Sequence, residues 1–226
     1  MIQANLKIKA LLFMKGYSER LPGKNVKPMC GRPLLHWILE ALSRSRYVEE
    51  IILNTDDQEI ADKATEHFDV TIHWRPDYLL NINSNEASQI LAYDLSIMEG
   101  EHFLQTHSTN PLVKTETIDR AVETYFANLE EYDSLFSVTP LQKRFYWPDG
   151  RPINHDPANM IKTQELPSLY EEDSCIYIFS RKVFEKYKRR FGENPFLFEM
   201  DPYESVDIDI PIDFTVAEAL MSGRFN

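Results

Sequence analysis

The sequence predicts an α/β fold, a three-layer, Rossmann-like sandwich built on a mostly parallel sheet. Two observations carry this. Short apolar runs of strand length, at residues 7–13, 50–55, 70–74 and 102–107, alternate with stretches whose apolar residues recur at helical spacing. The first of these runs also feeds a basic, glycine-containing loop, placed where an α/β sheet offers backbone N–H groups to phosphate. At 226 residues the chain suits a single domain, 1–226, long enough to bury a substantial core.

Taken in order, residues 7–13 are too short an apolar run for a helix and suit a buried strand. Beyond the loop, Pro33 stands near the first turn of a helix marked by Leu34, Leu35, Ile38, Leu39 and Leu42. His36 within it reads as packed or solvated. Residues 50–55 form a second strand, and Asp56-Asp57 open a helix over 58–68, which at least one of the pair caps. Residues 70–74 end in Arg75-Pro76, where proline keeps Arg75 extended. An asparagine-rich stretch (79–86) and a helix (86–98) precede the central strand, which runs into the polar turn 108–112. An amphipathic helix over 115–129 and a strand over 133–139 follow.

The texture then changes. Residues 140–173 hold five prolines, Phe145-Tyr146-Trp147 and few regular periods, which reads as an excursion from the sheet. Exposed on a monomer, the aromatic run would be a costly apolar patch, so a homodimer is expected. Residues 175–180 return to a strand. Residues 181–190 form a basic helix that reads as a solvated face, and Asp213 helps to begin a closing helix over 211–221.

The formal charge of −12 repels nucleic acid from most of the surface. Against that background Lys15, Arg20, Lys24 and Lys27 set four cations beside the single anion Glu19, a local reversal that reads as a triphosphate cradle. It is not a Walker A loop, because Ser18 and Asn25 break the spacing, and Arg20 breaks the nucleophile-elbow pattern that Gly16 and Ser18 begin. Toward the other end, Asp207 and Asp209 alternate and so share one face of an extended segment. Two carboxylates so close need a cation, and Mg²⁺ suits one or two carboxylates plus phosphates and water. Cys30 and Cys175 show no metal spacing and suit a reducing cytoplasm. No signal-peptide core or membrane-spanning run is expected.

Ser18-x-Arg20-x-Pro22-x-Lys24-Asn25 followed by Gly31-Arg32-Pro33-Leu34 resembles the opening signature of the acylneuraminate (CMP-sialic acid) cytidylyltransferases, relatives of the CMP-Kdo synthetases. The resemblance continues through Asn54-Thr55-Asp56-Asp57, Arg75-Pro76, Leu104-Gln105, Tyr170-Glu171-Glu172 and Ser205-Val206-Asp207-Ile208-Asp209. It implies the nucleotide-diphospho-sugar transferase form of the Rossmann-like sandwich, with 140–173 as an arm that packs on a second subunit and closes over the sugar. It implies transfer of CMP from CTP to an acidic nine-carbon sugar, with pyrophosphate released. Lys15, Ser18, Arg20 and Lys24 would hold the triphosphate, Asn25 and Arg75 would face the cytidine, and Gln105, Asn110 and Tyr170 would meet the sugar. Asp207 and Asp209 would hold Mg²⁺, and with Lys24 would carry catalysis.

The sequence departs from the family in two places. Met14-Lys15 stands where relatives have Ala-Arg, and Leu169-Tyr170-Glu171-Glu172 lacks the arginine that many sialate enzymes place there. A cation for the sugar carboxylate would then come from Lys143, Arg144 or Lys162, or the substrate is not a standard sialic acid. The alternatives are CTP-dependent transfer to another acceptor, such as a Kdo-like sugar or a phosphonate, and a non-catalytic nucleotide-sugar-binding module.

Overall fold

The structure, a computed structural model, describes residues 6–80 and 87–223. Strand β1 (Ile8–Met14) leads through a 3-10 turn (Lys24–Val26) and a hairpin of two-residue strands, β2 (Pro28–Met29) and β3 (Arg32–Pro33), into α1 (Leu34–Ser43). There follow β4 (Val48–Thr55), α2 (Gln58–Thr65), β5 (Thr71–Trp74), α3 (Ala87–Ile97), β6 (His102–Thr106) and α4 (Thr115–Ala127). The chain continues through β7 (Ser134–Leu141), β8 (Leu169–Ser180), α5 (Arg181–Tyr187), β9 (Pro195–Glu199) and α6 (Pro211–Gly223).

The main sheet runs β5-β4-β1-β6-β8-β7-β9. β8 is antiparallel to both of its neighbours, and the other strands point one way. Alternation along β1 explains the three layers. Ala10, Leu12 and Met14 enter a core with α1, α2 and α4, while Leu11 packs on the opposite face with Leu91 and Leu95 of α3 and Val183 and Phe184 of α5. A strand buried on both faces must be apolar throughout.

A third cluster fixes the site. Leu21 and Met29 from the loop region and Leu34 of α1 pack with Ile208 and with Phe214 and Ala217 of α6. It joins the segment after β1 to the chain more than 180 residues later, as the Lys24–Ile208 contact spans 184 positions.

The structure departs from expectation in three places. The two-residue hairpin separates the loop from α1, and the first α1 amide is already bonded to Lys27 O at 3.0 Å, so it is not free for phosphate. β8 begins at Leu169, so 140–141 and 169–173 belong to a long antiparallel ribbon, with a register shift between Phe136 and Val138 and Ser174 at φ 61°. The expected excursion is thus shortened at both ends, and residues 142–168 leave the sheet. The basic helix ends at Tyr187, where Lys188 adopts the left-handed conformation, and Arg181 is no solvated residue. Its guanidinium takes the carbonyls of Leu95, Met98 and Gly100 at 2.7–2.9 Å, closing the C-terminal end of α3. Most of the asparagine-rich stretch, 81–86, lies outside the described residues. Among the described residues, no helix is long and apolar enough to cross a membrane.

Candidate active site

The carboxyl ends of β1 and β6 and the residue after β5 border a cleft of about 610 Å³, where an open α/β sheet accepts ligands. Lys15, Ser18, Arg20, Lys24, Asn25, Arg75 and Gln105 all line it. So do Phe13, His107, Thr109 and Arg190. Glu19 is its only acidic wall residue among the described ones, so an acidic protein presents a cationic cavity.

Two of these side chains hold the loops in place. The Asn25 amide donates to Lys15 O at 3.1 Å and accepts from Ser108 Oγ at 2.6 Å, tying the loop after β1 to the turn after β6. Arg75, 9 % exposed, donates from Nε to Asn54 Oδ1 at 2.8 Å, and Asn54 in turn donates to the buried Asp94 at 2.8 Å. Burial lowers the Arg75 pKa, opposed by Asp56 and Asp94. Both residues were expected at the cytidine; what the structure shows is this framework role, at the cleft wall.

The glycines divide their roles. Gly23 holds the left-handed conformation, φ 65°, that opens the 3-10 turn. Gly16 was expected to let a ligand approach the backbone, but it is committed elsewhere. Its N–H goes to Asp56 Oδ1 at 2.7 Å, and a Cβ there would stand 2.3 Å from Asp57 Oδ2. Asp57 caps α2 by accepting from Ile60 N at 3.1 Å, as its position predicted.

The cations of the loop meet the acids of the later segment at the rim. Lys24 Nζ donates to Ile208 O at 2.7 Å, and the Arg20 fork closes on both oxygens of Asp209 at 3.0 Å. Ile208 is fully buried and its N–H reaches Thr109 O at 2.9 Å, so Asp207 and Asp209 flank an anchored residue. Burial lowers the Lys24 pKa, with Asp207 and Asp209 pulling the other way. Burial likewise raises the Asp207 carboxyl against a bond from Thr109, and its Oδ1 has no partner. A buried carboxylate oxygen without a donor suits a cation, and Asp209 stands one residue beyond Ile208. No group of three or more potential metal-ligating side chains occurs among the described residues. The unpaired Asp207 Oδ1 is a donor of the kind Mg²⁺ takes when phosphate and water complete its shell, whereas Asp209 is held by Arg20 in this structure.

His107 keeps part of its ring at the cleft wall, yet surrounding protein, with Arg190 and Lys24 nearby, lowers its pKa to about 3. It is a neutral hydrogen-bonding group. Asn110 is fully buried behind the wall, with neither amide atom paired among the described residues. Tyr170 lies on β8, away from the cleft, with its hydroxyl on Glu199 Oε1 at 2.5 Å. Arg144, a candidate for the sugar carboxylate, instead donates to Ile161 O within the ribbon tip. Arg190 gave no usable signal in the sequence, because it closes a run of lysines and arginines that reads as a solvated face.

A sequence model of the cytidylyltransferase family matches residues 10–225. The chain belongs to the cytidylyltransferase family. It is 28% identical over 219 residues to N-acylneuraminate cytidylyltransferase A of Danio rerio, which covers 93% of this chain but only 50% of that protein. It is 29% identical to the CMP-N,N'-diacetyllegionaminic acid synthase of Legionella pneumophila, covering 96% of this chain and 97% of that one. The chain thus spans about half the length of the fish relatives and nearly all of the bacterial one. A CMP:2-keto-3-deoxy-manno-octonic acid synthetase solved with CTP shares the fold at a TM-score of 0.71, with 15% identity and 96% and 99% of the two chains covered.

Proposed function

We propose that this cytidylyltransferase transfers CMP from CTP to a nonulosonic (sialic acid-like) sugar, releasing pyrophosphate. The observation that carries the reading is that Lys24, which lines the cleft, is bonded at 2.7 Å to Ile208 O, so the Asp207–Asp209 segment lies directly behind a cationic wall residue although it is not itself part of the lining. The sugar hydroxyl oxygen attacks the α-phosphorus of CTP. An O–P bond forms, the bond from the α-phosphorus to the oxygen bridging it to the β-phosphate breaks, pyrophosphate leaves with that oxygen, and the hydroxyl proton passes to water. Lys15 and Lys24 hold phosphate charge that grows in the transition state, and Arg20 joins them when its fork leaves Asp209. Bound Mg²⁺, held by Asp207 and Asp209, would neutralise phosphate oxygens and acidify the attacking hydroxyl. Arg75 and Asn25 frame the end of the cleft assigned to the cytidine, and His107 offers a neutral hydrogen bond.

The ribbon between β7 and β8 supports a homodimer. Tyr146 and Trp147 are each 53 % exposed at its tip, with Met160 at 56 %. β7 points the same way as β1, so the ribbon leaves the sheet on the edge that carries the cleft. Two cysteines without disulfide or metal spacing support our reading of a cytoplasmic reaction.

The test is incubation with CTP, Mg²⁺ and a panel of nonulosonic acids, Kdo and phosphonates, following pyrophosphate release and the mass of the CMP-sugar. Turnover with a nonulosonic acid is expected. CTP binding without product from any acceptor would overturn the assignment in favour of a binding module.

A further inference from the structure

We propose that Arg190, stacked on Tyr177, binds the carboxylate of the acceptor, and that the small recess beside it receives a short acylamino substituent of that sugar. The inference rests on the acceptor reading above and extends it to this chain's own residues.

An acidic acceptor needs a cation, and the cations first considered for it lie in the ribbon, with Arg144 tied to a backbone carbonyl. Arg190 is placed differently. It lines the cleft, only partly exposed, with its guanidinium carbon 3.6 Å from the centroid of the fully buried Tyr177 ring. No carboxylate pairs with it among the described residues, whereas Arg20, Arg32 and Arg46 each meet one. A guanidinium laid flat on an aromatic face presents its N–H edge outward, in the fork geometry that suits a carboxylate. Arg190 and Lys24 both line the cleft with His107 and both lie near enough to act electrostatically on it. Lys24 is committed to the side where the Asp207–Asp209 segment meets the loop. Arg190 is the cation left for a second anion.

The recess supports the same placement. It holds about 150 Å³ and shares Phe13, Ala87, Gln105 and Arg190 with the main cleft; Leu91 and Phe191 add apolar lining, beside Ser88 and Arg189, whose guanidinium is taken up by the Phe191 and Gly192 carbonyls. Gln105 is 2 % exposed, and its Oε1 has no partner among the described residues. A buried acceptor atom left bare is costly, and an amide N–H from the ligand would satisfy it. A group with an N–H at its root and a methyl beyond it matches a polar mouth with apolar lining beside it. That is an acylamino substituent.

The test is steady-state kinetics of the full chain with an N-acylated nonulosonic acid. Arg190→Gln should raise the acceptor KM by about 10- to 100-fold, the range for a charged hydrogen bond, with the CTP KM changed less than about twofold. Arg190→Lys should recover part of the loss. A structural role would not alter discrimination between the acid and its methyl ester, whereas here the wild type should prefer the acid strongly and Arg190→Gln should not. Ala87→Leu should raise the KM for the N-acyl acid but not for its analogue with a hydroxyl in place of the amide. A rise in the CTP KM alone, unchanged kinetics of Arg190→Gln, or an equal effect of Ala87→Leu on both acids would each overturn the subsite while leaving CMP transfer intact. Absence of wild-type turnover with every acid would instead overturn the parent reading, and this inference with it.

Discussion

Replacing Asn25 by alanine tests whether one side chain holds the two halves of the cleft together. The substitution removes the 3.1 Å bond to Lys15 O and the 2.6 Å bond from Ser108 Oγ. Asn25 is 8 % exposed and Ser108 is 3 % exposed, so water does not readily replace the lost partner. Two hydrogen bonds at about 1 kcal/mol each, with about 1–2 kcal/mol more for a stranded buried hydroxyl, give a loss of about 3–4 kcal/mol. Urea unfolding followed by circular dichroism reads this as a lower midpoint with an unchanged slope. The same loss frees the loop carrying Lys15 from the turn carrying Thr109, and the CTP KM should rise about tenfold, equivalent to about 1.4 kcal/mol. Asn25→Asp should be no milder despite its similar shape, because it sets a carboxylate oxygen against the Lys15 carbonyl. A stability change below about 0.5 kcal/mol with an unaltered CTP KM would refute the reasoning.

Other outcomes follow from the same geometry. Gly16→Ala forces a Cβ against Asp57 and unseats the α2 cap; a loss of about 1–2 kcal/mol is expected in thermal unfolding, with weaker CTP binding because the displaced backbone carries Lys15. Asp207→Asn should reduce kcat/KM at fixed Mg²⁺ by at least about 100-fold while leaving the melting temperature equal or higher, since it removes a charge whose buried oxygen is unpaired; a matching fall in stability would count against a ligand role. Burial lowers the Lys24 pKa, so nucleotide affinity should decline as pH rises through that lowered value, earlier than for an exposed lysine. The stability sign is opposite: a lysine with a depressed folded pKa penalises the fold below that pKa, and the penalty fades as pH rises through the interval up to the unfolded value. Lys24→Gln should abolish this alkaline limb of kcat/KM for CTP, and a limb that persists would assign it elsewhere.

The parallel half of the sheet was legible because residues 10–14 of β1 and 51–53 of β4 are unbroken apolar runs that lie against both faces of the sheet. The first half of β8 was not. Leu169-Tyr170-Glu171-Glu172 has exposed side chains in a ribbon whose register is set by pairing with β7, so local composition says little about it. Lys24, Arg20 and the two aspartates stood out in the sequence because charge of that density is unusual in this chain, and the structure brings Arg20 onto Asp209 and Lys24 onto Ile208 O between the two acids. Arg190 could not, since a left-handed residue at Lys188 and the Tyr177 ring define its direction, and neither is visible in a run of basic residues. Gly16 shows the reverse case. A glycine in a basic loop suggests ligand approach, whereas here it makes room for an aspartate.

Ile208 is gripped by aliphatic and aromatic neighbours from the loop region and α6, so the aspartates on either side owe their location to oily packing rather than to whatever they bind. The short stretch therefore behaves as a cassette. Asp209, half exposed, is the member open to exchange for another acidic or neutral residue without unseating the chain, whereas Asp207 is fixed in its surroundings by its own burial.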